Sequence, residues 1–99
     1  MPSKKERIKV KLLLFATLRD KYGFKEKIIE TGETFQELLE SVRREIGEDF
    51  VNELFDKEKN KIRDDRIILI NGIHAKLKWP NIHLNDGDVV AIFPPIAGG

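Results

Sequence analysis

The two most apolar stretches of this chain lie near its opposite ends: Leu12-Leu13-Leu14-Phe15 and Val89-Val90-Ala91-Ile92-Phe93. A run without polar alternation is the pattern of a central strand, covered on both sides. The two are expected side by side and parallel at the middle of one sheet. Parallel neighbours need a long connection, and the rest of the chain supplies it.

Ile8 to Phe15 begins in alternation, placing Ile8, Val10, Leu12 and Leu14 on one face and Leu13 and Phe15 on the other, beside Lys9 and Lys11. A turn at Tyr22-Gly23 leads to a more polar strand over Lys25 to Glu30, whose charges suit a sheet edge. Thr34 followed by Glu37 is the reciprocal helix-starting box, directly ahead of Phe35, Leu38, Leu39, Val42 and Ile46 at helical spacing. Gly47 supplies the stop, in a left-handed conformation. Phe50, Val51, Leu54 and Phe55 predict a short helical turn, and the polar stretch Asp56 to Asp65 a surface loop. Arg66 to Ile70 reads as a third long strand, Asn71-Gly72 as a tight reversal, and Ile73 to Ala75 as a short return strand. Trp79-Pro80 marks irregular chain, and Leu84 to Asp88 a polar turn before the final strand. The order strand, strand, helix, strand, short strand, strand is that of a ubiquitin-like β-grasp. This is an α+β fold whose mixed sheet packs one main helix on one face. A single domain over 1–99 is expected, with 1–7 a polar extension and 94–99 an extended tail.

Composition narrows the function classes. Charged residues make up 35% of the 99 and hydrophobic ones 40%, enough for one compact core inside a charged shell. A net charge of +1, with Lys and Arg scattered among acids, argues against a nucleic-acid partner. There is no cysteine, which removes disulfides, thiolate metal sites and thiol nucleophiles. No apolar run is long enough to cross a bilayer, and the start lacks a signal-peptide pattern, so the cytoplasm is the expected compartment.

Candidate catalytic residues in the body are few. His74 and His83 have no second His or Cys at ligand spacing, so no metal site is expected. Asp86 and Asp88 read as turn formers, while Glu48-Asp49 and Asp64-Asp65 read as a solvated face. Ser3, Thr17, Thr31 and Ser41 lack the base and acid of a triad.

The end of the chain is more informative. Phe93 is followed by Pro94, Pro95, Ile96, Ala97, Gly98 and Gly99. Glycine sets no Cβ beside its carbonyl, so an enzyme can close around it and a nucleophile can approach an activated acyl carbon. Gripping a loose tail costs roughly 1–2 kcal/mol per residue, and each proline removes on the order of 0.4–1 kcal/mol of that in advance. Leu13 and Phe15 on one strand and Ala91 and Phe93 on its proposed neighbour form a docking patch if their faces coincide. Core buried on both sheet faces is the alternative.

Leu13-Leu14-Phe15-Ala16-Thr17-Leu18-Arg19, Ile70-Asn71-Gly72, and above all Asp86-Gly87-Asp88 through Phe93 to Pro94-Pro95-Ile96-Ala97-Gly98-Gly99 carry a resemblance across nearly the whole chain. The sequence resembles the MoaD/ThiS sulfur-carrier family, and its diproline is more like the small subunit of molybdopterin synthase than the thiamine branch. That likeness implies no resident cofactor and no activity by the chain alone. An ATP-dependent activating enzyme would adenylate Gly99, and a sulfur donor would convert it to a thiocarboxylate. Delivery to a cyclic pyranopterin in the large synthase subunit would serve molybdenum or tungsten cofactor synthesis. Ile96, Ala97 and Gly98 would be gripped with the prolines, and Arg19 would join the patch. The same likeness extends to ubiquitin-like modifiers, which would join Gly99 to lysine. An interaction domain with an inert end is the third reading. The segment from Glu48 to Asp65 is longer and more charged than in the leanest relatives.

Overall fold

The computed structural model describes residues 7–95. Its main sheet has five strands in the order β2-β1-β7-β5-β6. These are β1 (Ile8–Leu14), β2 (Glu26–Thr31), β5 (Ile67–Ile70), β6 (Ile73–His74) and β7 (Val89–Phe93). β7 occupies the middle, parallel to β1 and antiparallel to β5. The expected central pair of end strands is therefore present, and the fold is a ubiquitin-like β-grasp.

Alternation in β1 decides which face is covered. Val10, Leu12 and Leu14 are fully buried, as are Val90 and Ile92 beside them. Helix α2 (Phe35–Glu45) closes this face with Phe35, Leu38, Leu39 and Val42. The Thr34 hydroxyl accepts from the Glu37 amide at 3.0 Å, and Glu37 Oε1 accepts from the Thr34 amide at 3.1 Å. Two orphan donors are thereby satisfied at the helix start.

Three local features depart from the sequence expectation. The turn near Tyr22 is preceded by a short helix, α1 (Thr17–Tyr22), in which Leu18 alone is buried. Six residues, with Leu18 buried and Tyr22 packed against the core, are too few to show a helical period. Gly47 follows α2 but at φ 137, an extended positive-φ geometry rather than the left-handed one, because it also opens α3 (Glu48–Leu54). The expected loop at 56–65 contains a hairpin of β3 (Phe55–Asp56) and β4 (Lys61–Ile62). Asp56 Oδ1 accepts from the amides of Glu58 and Lys59 to form its turn, and Ile62 is buried. Strands this short leave no alternation to read.

The Asp-Gly-Asp turn does more than reverse the chain. Asp88 is buried, and its carboxylate accepts from the Asn71 side-chain amide at 2.8 Å and the Asn85 backbone amide at 2.8 Å. Asn71 Oδ1 in turn accepts from the Val89 amide at 2.9 Å. Asp86 Oδ1 accepts from the Lys9 amide at 2.9 Å. These bonds fix where β7 begins against β1 and β5, and hence where it ends.

A buried acid ties the helical layer to the sheet. Glu53 of α3 accepts from Lys21 Nζ and the Tyr22 hydroxyl of α1, each at 2.9 Å, and from the Arg66 guanidinium just before β5. Burial first, and then the nearby Asp49 charge, raise the Tyr22 phenol above its usual range, against the pull of Arg66. The folded state therefore holds this proton more tightly than the unfolded chain. Its contribution is present below the ordinary phenol pKa and is lost as pH rises through the folded one. Tyr22 is the only tyrosine. Near-ultraviolet titration should show one delayed phenolate transition, and Tyr22→Phe should flatten the alkaline fall in stability.

Candidate functional site

Opposite the helix, the described residues leave the sheet face open. Leu13, Phe15, Ala91 and Phe93 all lie there, half-buried. The register sets Leu13 beside Ala91, and the Phe15 amide donates to the Ile92 carbonyl at 3.2 Å. The Phe15 and Phe93 rings stack with centroids 4.2 Å apart and planes 9° from parallel. The two proposed strand faces coincide, so four of the five expected patch residues form one surface. Their partial exposure excludes the reading of core buried on both sides.

The fifth, Arg19, reaches the same place from α1. Its Nε donates to the Leu14 carbonyl at 2.8 Å, and its guanidinium carbon lies 5.4 Å from the centroid of the Phe15 ring. The guanidinium thus lies over Phe15, which itself stacks on Phe93, where the chain leaves the sheet.

Sequence reasoning missed two members of this surface. Ile67 pairs with Phe93 and Leu69 with Ala91, both half-buried on the open face. The signal was available: Ile67 to Ile70 is apolar at every position, just as β1 is at its end. Ile28, opposite Lys11, extends the patch to the β2 edge at 55% exposure. His74, opposite Leu69, is also on this face, whereas His83 forms an isolated bridge with Thr34 across the helix start.

Pro94 and Pro95 follow Phe93 directly and line a hollow of about 230 Å³ with Asp64, Asp65, Arg66, Ile67, His74 and Lys76. The expected tail positions Ile96, Ala97, Gly98 and Gly99 lie outside the described residues. A larger hollow of about 570 Å³ lies among α2, α3 and the β3–β4 hairpin, and it shares no residue with the patch. Size does not make it the site, because its walls hold no cluster of groups suited to catalysis. Outside it, Glu48 is paired with Arg43 and Lys57, and Asp64 with Lys61. Hydrogen bonds from Lys57 and Arg43 hold the Glu48 carboxyl below its usual range, as the Lys61 bond does for Asp64. Among the described residues, no group of three His, Cys, Asp or Glu is placed to hold a metal, and no helix is long and apolar enough to cross a membrane.

Comparison with known proteins accords with this architecture. The ThiS family model matches residues 12–99. Among solved structures, the HVO 2177 protein of Haloferax volcanii aligns with a TM-score of 0.73 at 28% identity, covering 100% of this chain and 93% of its own. Small archaeal modifier protein 1 of Methanosarcina acetivorans aligns with a TM-score of 0.70 at 30% identity, covering 95% and 99%. A Pyrococcus furiosus protein described as a candidate molybdopterin converting factor, subunit 1, aligns with a TM-score of 0.63 at 34% identity, covering 90% and 99%. A search of curated protein sequences finds no match. With its β-grasp body and its family match running to the last residue, the chain belongs to the ThiS family of small ubiquitin-like sulfur carriers and modifiers.

Proposed function

We propose that this chain is the sulfur-carrying small subunit of a molybdopterin synthase. Gly99 would be its reactive residue, and the open sheet face its address for partners. A carboxylate is a poor electrophile, since its charge repels nucleophiles and it lacks a leaving group. A cytoplasmic activating enzyme of the ubiquitin-activating type would therefore use ATP to form the Gly99 adenylate, releasing pyrophosphate. Sulfide from a donor would then displace AMP, leaving a thiocarboxylate in which sulfur replaces one oxygen. Within the large synthase subunit this sulfur would pass to a cyclic pyranopterin, and water would restore the carboxylate. The chain itself binds no cofactor in this scheme, and its partners supply the acids and bases.

The observation that carries this reading is the stacked Phe15–Phe93 pair on an uncovered sheet face, with the diproline tail leaving immediately after it. Gly98, Ala97, Ile96, Pro95 and Pro94 would thread the partner's channel while Phe93, Ala91, Phe15, Leu13 and Arg19 dock the body. A surface and a tail side by side let one partner hold both, so that docking concentrates the tail at its channel. The 34% identity with the Pyrococcus protein supports the synthase role.

The 30% identity with the Methanosarcina modifier protein favours a second reading, in which Gly99 is joined to a lysine amine. Activation is common to both and the acceptor differs. Intact mass after incubation with ATP, activating enzyme and sulfur donor should reveal the exchange of oxygen for sulfur. Addition of the large subunit should then convert the pterin precursor. A chain lacking Gly99 should do neither, and activity from that truncated chain would refute the assignment. Lysine-linked conjugates without pterin conversion would support the modifier instead.

A further inference from the structure

The geometry points to Arg19 as a positioning residue: its guanidinium braces the Phe15–Phe93 ring pair, so that the docking surface and the departure of the tail are set before a partner arrives. This rests on the reading that the open face docks an activating enzyme and that Gly99 is charged there.

The side chain is held inward at two points. Nε is committed to the Leu14 carbonyl at 2.8 Å, and Cζ sits 5.4 Å from the Phe15 centroid. Among the described residues Arg19 pairs with no carboxylate. A planar cation over a ring is attracted by the ring quadrupole, and the hydrogen bond fixes the plane's position. Phe15 is thus in contact with the guanidinium and stacked on Phe93, at 4.2 Å and 9°. Phe93 is the last residue of β7, and Pro94 follows it. Arg19, Phe15 and Phe93 therefore connect α1 to the root of the tail.

The backbone is strained to achieve this. Ala16 sits at φ 54, ψ −133, where a Cβ is disfavoured. That turn brings α1 back over β1's end, and the Arg19 amide donates to the Ala16 carbonyl at 3.1 Å. Such strain persists where surrounding contacts over-determine it. An extended residue in its place would carry Arg19 away from the ring. Without the brace, the outer side of Phe15 is open to solvent and its ring must be re-ordered in each docking event.

The test has two arms. In the free protein, ring-proton NMR shifts of Phe15 and Phe93 should be displaced by mutual stacking, and Arg19→Gln should move them toward unstacked values, with Arg19→Lys recovering only part. In steady-state charging by the activating enzyme, Arg19→Gln should raise KM for the carrier about threefold to tenfold and leave kcat unchanged, the behaviour of lost uniform binding. In a Phe15→Leu background the same substitution should have no further effect. Unchanged ring shifts would overturn the proposal. An equal Arg19→Gln penalty in both backgrounds would also overturn it, because Arg19 would then act without Phe15. If even the wild-type chain is never charged, the sulfur-carrier reading fails, while the ring shifts still decide whether Arg19 braces the pair.

Discussion

Phe93→Ala is expected to weaken binding to the activating enzyme by about two orders of magnitude, since a central aromatic anchor is typically worth about 2–4 kcal/mol when truncated at an interface. The residue combines the properties that make an anchor. Its ring is half-buried on a central strand, stacked on Phe15 and bordered by Ile67. Removing it takes away apolar area, frees Phe15 and loosens the root of the tail together. Phe15→Ala should approach the same loss, and the double variant should fall well short of the product, because each ring orders the other. Ile28→Ala is the matched control: it removes an exposed apolar side chain from the same face at the sheet edge, where rim contacts contribute little. Its effect should stay within about threefold. Calorimetric binding to the activating enzyme decides this, and a Phe93→Ala loss under about fivefold would remove the patch from the mechanism.

What the sequence disclosed depended on repetition. β1, α2 and β7 each present several buried residues at a regular interval, so one face of each could be assigned without coordinates. The Thr34–Glu37 box added a local hydrogen-bond signature that tertiary contacts did not need to create. The same regularity located Leu13, Phe15, Ala91 and Phe93, because two strands of known facing become one surface once they are parallel neighbours. α1 and the β3–β4 hairpin were illegible for the opposite reason. Each is too short to show a period, and its contacts are remote in sequence: Leu18, Lys21 and Tyr22 for α1, Phe55 and Ile62 for the hairpin. Glu53 was invisible too. It stands in α3 between Asn52 and Leu54, and nothing local separates a buried acid from a solvated one. Its meaning comes from Lys21, Tyr22 and Arg66, which are remote in sequence. Arg19 was expected at the patch only from the family resemblance, and its place over Phe15 depends on the backbone turn at Ala16.

The largest effect on stability should come from Glu53→Ala, a loss of about 3 kcal/mol. Out of a total of roughly 5–15 kcal/mol for a small domain, this corresponds to a melting temperature lower by roughly 12–24 °C. The reasoning starts from what is left behind rather than what is removed. Arg66 has a side chain only 13% exposed, and burial already lowers its pKa, so without Glu53 a guanidinium stays in a poor solvent beside a cavity, with only the exposed Asp65 at 3.5 Å as its carboxylate. Lys21, at 57% exposure, can turn to water and contributes little to the loss. Glu53→Gln keeps an acceptor for Arg66 and Tyr22 without the charge, and should lose less than the alanine variant. The informative comparison is Glu53→Leu with Arg66→Met together. Apolar replacement of both partners removes two desolvated charges at once and should recover most of the loss. Denaturant midpoints at neutral pH measure all three. If Glu53→Ala costs under about 1 kcal/mol, the cluster behaves as an ordinary surface pair. If the double apolar variant is no better than the single alanine, then the loss comes from the broken geometry of this network and not from the under-compensated Arg66 charge.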